Sequence, residues 1–465
     1  MPATKRSPWW SLIALMPAQI LIFMDITILP VALPTIGREL HASNLSLEWA
    51  VNIYLLSTTC FSLVGGKLGD QWGHRRVFLW GIAIFTVSSM LCGLSQNIEM
   101  LVGARALQGF GAALMIPMVS TLIAVVFPKH LRGRALGVGV SSSAGFLVLG
   151  PFVGGYLTQM LSWRWIFWIN WPIALIGFCA SLILLEKSEP KKGKIDLFGL
   201  GYFAVFAASI TTLFMDVRKW HWISLKTLAA AFLIIASIIL LLKREKKSPH
   251  PFLDLSLFKH PVFTAINISI ALTNFILMIN IFRAIYYQTV LDYTPYQAGS
   301  ITFVSSLPML FCAALGGFLS DRFGPRLPLA IGYTLTICSF LWLGFFPDPS
   351  LSHLLIALIA FSFGVPLIFT PSYSTAMRAV PAHKLGVGFG MVSTLRTLSG
   401  TLGIALIGLF MYMVKMDYLS AFPGEMRRAE IASFSAVHFA LAIVMMIAFI
   451  FTFIFYQRKI NQHSP

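Results

Sequence analysis

The sequence predicts an all-α polytopic membrane protein with fourteen transmembrane helices, arranged as two pseudo-symmetric six-helix bundles plus two extra linker helices. Three observations carry that expectation. Apolar runs of about 20 residues recur along the chain, each long enough to cross a bilayer as a helix. They raise the hydrophobic share of the 465 residues to 57% and the mean hydropathy to +0.80. Charged residues, 11% of the total, gather in the short segments between the runs, and one glycine-rich charged stretch occurs twice.

In chain order the predicted spans are 9–33, 47–66, 77–95, 100–127, 134–157, 165–185 and 197–216, then 222–242, 262–285, 296–318, 328–346, 353–376, 386–413 and 434–456. The first begins after Lys5 and Arg6 with "WWSLIALMPAQILIFM" and resembles a signal peptide. No small-residue cleavage site follows, and the apolar run continues through Asp25 to Pro34, so it reads as a membrane span. An even number of spans puts both termini on one side. Most of the 34 lysines and arginines then share that side, in segments such as "EKSEPKKGKI", "KREKKSPHPFLDLSLFK" and "PKHLRGR". Retained positive charge marks the cytoplasmic face, so both termini are expected to be cytoplasmic. The net charge of +17 is spread among these loops rather than forming one patch, which argues against a nucleic-acid partner.

The duplicated stretch is "GGKLGDQWGHRR" at Gly65 to Arg76, and "GGFLSDRFGPRL" at Gly316 to Leu327. "PMVST" at Pro117 is echoed by "PSYST" at Pro371, and "LGVG" occurs at Leu136 and Leu385, at nearly the same offset. Three markers in step imply two related halves. Six spans per half leave a surplus pair, so the domains read as 1–187, a first bundle; 188–250, two additional helices with basic flanks; and 251–465, a second bundle. Glycines in the repeated stretch permit a tight turn and close helix approach. Asp70 is placed to cap the following helix or to pair with Arg75, Arg132 or Arg134. Each half then carries a conformational latch: Gly65, Gly66, Asp70, Gly73 and Arg75 in the first, and Gly316, Gly317, Asp321, Gly324 and Arg326 in the second.

Span five carries Gly137, Ser141 and Gly145 at four-residue intervals, followed by Gly150, Pro151, Gly154 and Gly155. Small residues so spaced form a flat strip on which another helix can pack or rock closely, and Pro151 removes a backbone donor.

These motifs resemble the major facilitator superfamily. "GGKLGDQWGHRR" is similar to that family's cytoplasmic loop signature, "RALQGFGAALMIP" (Arg105 to Pro117) to its fourth-span signature, and "GFLVLGPFVGGYL" (Gly145 to Leu157) to its antiporter signature. "SWRWIFWINWPI", "DLFGL" and "MDITILPVALP" resemble segments of the fourteen-span drug:proton antiporter branch. One departure is Pro30, where the family commonly has asparagine; it bears on the kink of the first span. The resemblance implies multidrug efflux by antiport, with Gly145, Gly150, Pro151, Gly154 and Gly155 as the antiporter motif.

An ionisable group inside a span costs several kcal/mol unless paired or hydrated, which makes each one a functional candidate. Asp25 is the one carboxylate deep in an apolar run, and Arg105 is its expected partner. At 1.5 Å per residue they lie roughly 13 and 8 Å below the outer ends of spans one and four, close to a common depth. A charged Asp25 would hold Arg105 and a protonated one would free it, which is a proton-coupling switch. The competing reading is a static salt bridge. Arg396 lies near the midplane, available to an anionic substrate group or to backbone carbonyls, whereas Arg283 reads as an interfacial anchor that snorkels outward. With Arg396, the expected substrate-cavity residues are Met24, Met115, Met118, Asn274 and Asn280. One deep carboxylate against three arginines leaves room for a zwitterionic or anionic amphiphile.

No catalytic constellation emerges. The ten histidines show no metal spacing, there is no ATP-binding glycine loop, and all five cysteines lie in apolar runs as packing residues. The reading is therefore a proton-coupled secondary transporter of the plasma membrane, in a bacterium the inner membrane, exporting small amphipathic compounds. It is not an enzyme; the rival from another class, a passive channel, predicts that uphill transport is absent in sealed vesicles. The alternative is a dedicated transporter of one anionic metabolite such as a siderophore-like chelator. The proton is the expected coupling ion, with no other cofactor and no metal. The partners are the substrate and the lipid bilayer; periplasmic or outer-membrane accessory proteins are not readable from these residues.

Overall fold

Backbone polar groups in a bilayer have no water to bond to, so each crossing segment must satisfy its own hydrogen bonds as a helix. The computed structural model describes residues 8–186, 196–220, 222–247, 255–347, 350–381 and 385–458, and these form helices and short connections with no strand. The first bundle contains α1 (Pro8–Glu39), α2 (Asn44–Trp72), α3 (His74–Gly93), α4 (Ile98–Val126), α5 (Lys129–Met160) and α6 (Trp165–Leu184). The inserted pair is α7 (Leu197–Trp220) and α8 (Leu225–Lys247). The second bundle contains α9 (Pro261–Thr289), α10 (Pro295–Phe323), α11 (Arg326–Phe345), α12 (Leu351–Arg378), α13 (Leu385–Ala421) and α14 (Met426–Arg458). Every predicted span coincides with one of these helices. Thirteen satisfy length and hydropathy criteria for a membrane crossing among the described residues, and α5 is the remaining long helix, 32 residues.

The helix ends follow the sequence. The Ser43 hydroxyl accepts from the Ser46 amide at 3.2 Å and starts α2; the Asn97 side chain accepts from the Met100 amide at 2.8 Å and starts α4. Asp196, in the "DLFGL" segment, caps α7 by accepting from the Gly199 amide at 3.1 Å. Gly73 closes α2 at φ 92° and Gly324 closes α10 at φ 78°, conformations that L side chains rarely adopt. The repeated stretch therefore makes the same turn twice. Lys5, Arg6 and much of the basic segments 187–195 and 248–254 lie outside the described residues.

By packing, the chain divides into unit 1, Met1–Ala207 with Thr294–Ser300, and unit 2, Ala208–Tyr293 with Ile301–Pro465. In unit 1, α2 and α3 both pack on α4, and a β-carbon at Gly65 would meet the Ala113 carbonyl of α4 at 2.5 Å. In unit 2, α10 and α11 both pack on α12, and a β-carbon at Gly316 would lie 3.3 Å from the Pro366 carbonyl of α12. Gly66 faces Pro117 as Gly317 faces Thr370. The pseudo-symmetry thus reaches individual glycine contacts. Apolar side chains such as Trp80, Ile176, Phe232 and Phe311 remain exposed on the helices, as expected of surfaces that meet lipid.

Candidate functional site

The helix α1 is not uniform. Residues Ile20–Met24 form a π turn, and Asp25 is the first residue after it. A π turn inserts an extra residue into the helical register, and such turns cluster at functional sites. Here Asp25 is 1% exposed, among α2, α3, α4 and α6 of unit 1.

Arg105 on α4 donates through Nη1 to Asp25 Oδ2, and it too is 1% exposed. Gln108, one turn along the same face, joins both members of the pair. Its Oε1 accepts from Arg105 Nη1 at 2.7 Å, and its Nε2 donates to Asp25 Oδ1 at 3.0 Å. The helix α6 is interrupted at Ile169, and Asn170 opens its longer part. Asn170 Nδ2 reaches Asp25 Oδ1 at 3.4 Å and Ser89 Oγ at 3.0 Å. From α2, the Ala50 carbonyl accepts Arg105 Nε at 3.1 Å, and the Tyr54 ring lies 4.3 Å from the guanidinium carbon. Tyr54 Oη and Asn170 Oδ1 are buried without a hydrogen-bond partner among the described residues.

The arrangement can hold a charge pair away from water because hydrogen bonds satisfy the carboxylate and most of the guanidinium. Removing one partner from a buried pair typically costs about 3–5 kcal/mol, mostly from the uncompensated charge left behind. Asp25 and Arg105 were expected from their charge; Gln108, Asn170, Tyr54 and Ser89 were not. Gln108 carried a usable signal, standing three residues after Arg105 and hence on its face.

The glycine strip of α5 packs directly beside this cluster. A β-carbon at Gly150 would collide with Thr27 and lie 3.0 Å from the Met24 carbonyl, and one at Gly154 would lie 2.6 Å from the Ile28 carbonyl. Thr27 Oγ1 donates to the Leu147 carbonyl at 2.9 Å. Pro151 and Gly155 meet the unit 1 segment Thr294–Ser300: the Gly155 position abuts the Pro295 carbonyl, and Gly299 abuts the Pro151 carbonyl. Gly145 has open space around it. The "SWRW" segment secures the end of α1, because Trp163 Nε1 donates to Glu39 Oε2 and Arg164 pairs with Glu39 at 2.8 Å.

The expected latches differ between the halves. Asp70 pairs with His74 at 3.1 Å, and Arg75 instead donates to the Leu182 carbonyl. The cause is that α2 continues to Trp72, leaving Asp70 on its last turn, where i+4 is His74. The Arg132 side chain lies outside the described residues, and Arg134 stacks over Trp9 at 5.9 Å. In the second copy Asp321 accepts from Arg378 at 3.1 Å, an exposed pair, and Arg326 opens α11.

Among the substrate-cavity residues, Met24 is buried beside Asp25, and Met115 and Met118 are fully buried. The last two fill the room left by Gly81 and Gly69. Asn274 Nδ2 donates to the Arg396 carbonyl at 2.8 Å, which brings those two together; both are half-buried, as is Asn280. Arg283 is not an interfacial anchor. It is 1% exposed inside unit 2, because α9 breaks at Met278 and its second part presents Arg283 to α14.

A family model described as Major Facilitator Superfamily matches residues 15–404. The chain is 30% identical over 408 residues to multidrug resistance protein Stp of Mycobacterium tuberculosis (strain CDC 1551 / Oshkosh), covering 87% of this chain and 76% of that one. It is also 30% identical over 461 residues to riboflavin transporter RibZ of Clostridioides difficile (strain 630), covering 98% and 99%. Among solved structures, a bacterial homolog of the human lysosomal transporter Spinster, in an inward-facing and unoccupied conformation, matches with TM-score 0.71 at 16% identity over 100% of both chains.

Proposed function

The chain belongs to the major facilitator superfamily, and from that premise we propose a proton-coupled antiporter that exports small amphipathic compounds. It is a multi-pass membrane transporter and not an enzyme. We assign it to the plasma membrane, the inner membrane in a bacterium, with both termini cytoplasmic.

The observation that carries the coupling is the buried Asp25–Arg105 pair with Gln108 and Asn170 bonded to the same carboxylate. With Asp25 ionised, the pair is neutral and Arg105 is held. Adding a proton to Oδ2 turns an acceptor into a donor, so the Arg105 bond is lost and the guanidinium must find other acceptors. The Ala50 carbonyl and Gln108 Oε1, which already accept from Arg105, would be the acceptors left to it. The change of charge occurs beside the contact of α5 with Met24, Thr27 and Ile28, so the strip is positioned to register it. Entry of the proton from outside and its release inside would drive the opposite movement of solute. The exposed Asp321–Arg378 pair would act as a weak latch, worth about 0–1 kcal/mol as a surface pair, and in the other half the exposed Asp70 would latch onto the buried His74.

The test is transport by proteoliposomes under an imposed pH gradient. Asp25→Asn is expected to abolish gradient-driven movement while inserting normally; full gradient-driven movement by that variant removes Asp25 from the mechanism. A second reading, a dedicated transporter of one anionic metabolite, is supported by the near-complete alignment with a relative named as a riboflavin transporter. Competition between cationic dyes, carboxylates and riboflavin separates the two.

A further inference from the structure

The two units treat their buried arginines differently. Arg105 in unit 1 has its own carboxylate. Arg283 in unit 2 is equally buried, yet no ion pair joins it to a carboxylate among the described residues. Its Nε donates to His438 Nε2 at 3.2 Å, and its Nη1 donates to Asn280 Oδ1 at 3.3 Å. His438 Nδ1 lies 2.7 Å from the Phe434 carbonyl, which requires a proton on Nδ1 and leaves Nε2 as the acceptor for arginine. The imidazole is therefore neutral and supplies no counter-charge. The rings of Phe361 and Phe340 lie 4.8 and 5.5 Å from the guanidinium carbon.

One arginine nitrogen, Nη2, is buried with no hydrogen-bond partner among the described residues, and so is the Tyr287 hydroxyl. Both residues line a small cavity within unit 2, together with Asn280, Ser305, Phe361 and Ser362. An isolated buried cation with an unused donor is costly unless something compensates it. The cavity lined by Arg283, Tyr287, Asn280, Ser305 and Ser362 gives an anion from solution a place beside that cation.

We propose that this cavity is an anion site, with Arg283 and Tyr287 donating to a carboxylate-sized anion. The chemistry suits either the carboxylate end of an organic solute or a small inorganic anion such as chloride. The cavity belongs to unit 2 and the Asp25 cluster to unit 1, and the assignment does not depend on proton coupling.

Equilibrium binding to the purified full-length protein tests it without any ion gradient, so its failure is separable from failure of the antiport reading. The probes are radiolabelled benzoate and radiolabelled chloride, in a buffer whose other anion is a bulky sulfonate, with benzamide as the uncharged competitor. Saturable binding of either probe, undisturbed by benzamide, is expected. Benzoate without chloride identifies an organic carboxylate; chloride without benzoate identifies an inorganic anion. Arg283→Gln should weaken the bound anion by roughly a hundredfold, the scale for losing one side of a buried charge pair. Tyr287→Phe keeps the ring and the packing, and should weaken it about tenfold, the scale for one hydrogen bond to a charged group. If Arg283→Gln does not fold, Tyr287→Phe decides alone. Absence of saturable binding by both probes overturns the proposal, as does binding that Tyr287→Phe leaves unchanged.

Discussion

Gln108 bonds to both members of the buried pair, and that makes it the most informative single residue outside the charges themselves. Gln108→Leu keeps the volume and removes the only group among the described residues that donates to Asp25 while accepting from Arg105. A loss of about 2–3 kcal/mol is expected, since hydrogen bonds to charged groups lie in that range. Thermal unfolding in detergent reads it, and a change below about 0.5 kcal/mol would mean that Asn170 and Ala50 suffice to hold the pair. The sequence made Asp25 and Arg105 visible because charge in an apolar run is rare and expensive. Gln108, Asn170 and Tyr54 are neutral and common enough in membrane helices that spacing alone does not single them out. Their role depends on which helices meet. Arg283 departs from its sequence expectation for a related reason. Its distance from the span end suggested snorkelling, but the break at Met278 and the packing with α14 put it in the interior instead.

At the scale of the helix, departures from regular geometry fall in matched places. The π turn of α1 ends at Met24, and α9 breaks at Met278, close to the spacing that separates the two copies of the repeated stretch. Each first span of a bundle thus carries its irregularity just before a functional candidate, Asp25 in one and Asn280 with Arg283 in the other. Hydropathy cannot register a π turn, because inserting one residue leaves the apolar run intact. The small-residue strip of α5 was legible, but its members are not equivalent, and that difference yields a paired prediction. Gly154→Ala pushes a β-carbon to 2.6 Å from the Ile28 carbonyl, a backbone atom that cannot swing aside. The helices must separate, and a loss of about 1–3 kcal/mol follows from such overpacking. Gly145→Ala meets nothing within 4 Å and adds helix propensity, so its stability should stay within about 0.5 kcal/mol of the parent or rise. Equal melting points for the two variants would show that α5 is free to move away from α1 at no cost.

On the scale of the whole chain, the bilayer makes architecture easy to read and chemistry hard to read. A span must be apolar and helical whatever it does, so fourteen helices and a twofold repeat survive in the residue pattern. The polarity inside each bundle obeys no such rule, and there the duplicated halves have diverged. One holds a closed cation–carboxylate pair, the other a cation bonded to neutral groups. If the closed pair is the coupling element, driving transport and permitting transport are separable properties. Asp25→Asn keeps an amide that can still accept from Arg105, so solute-loaded interconversion should persist while the proton-dependent step is lost. Counterflow measures the first: proteoliposomes loaded with unlabelled solute accumulate labelled solute transiently, with no pH gradient applied. Uphill movement under an imposed gradient measures the second. The expected result for Asp25→Asn is counterflow near the parent rate and no gradient-driven accumulation. Loss of both in a protein that melts like the parent would make Asp25 part of solute binding itself, and retention of both would reduce the buried pair to a helix fastener.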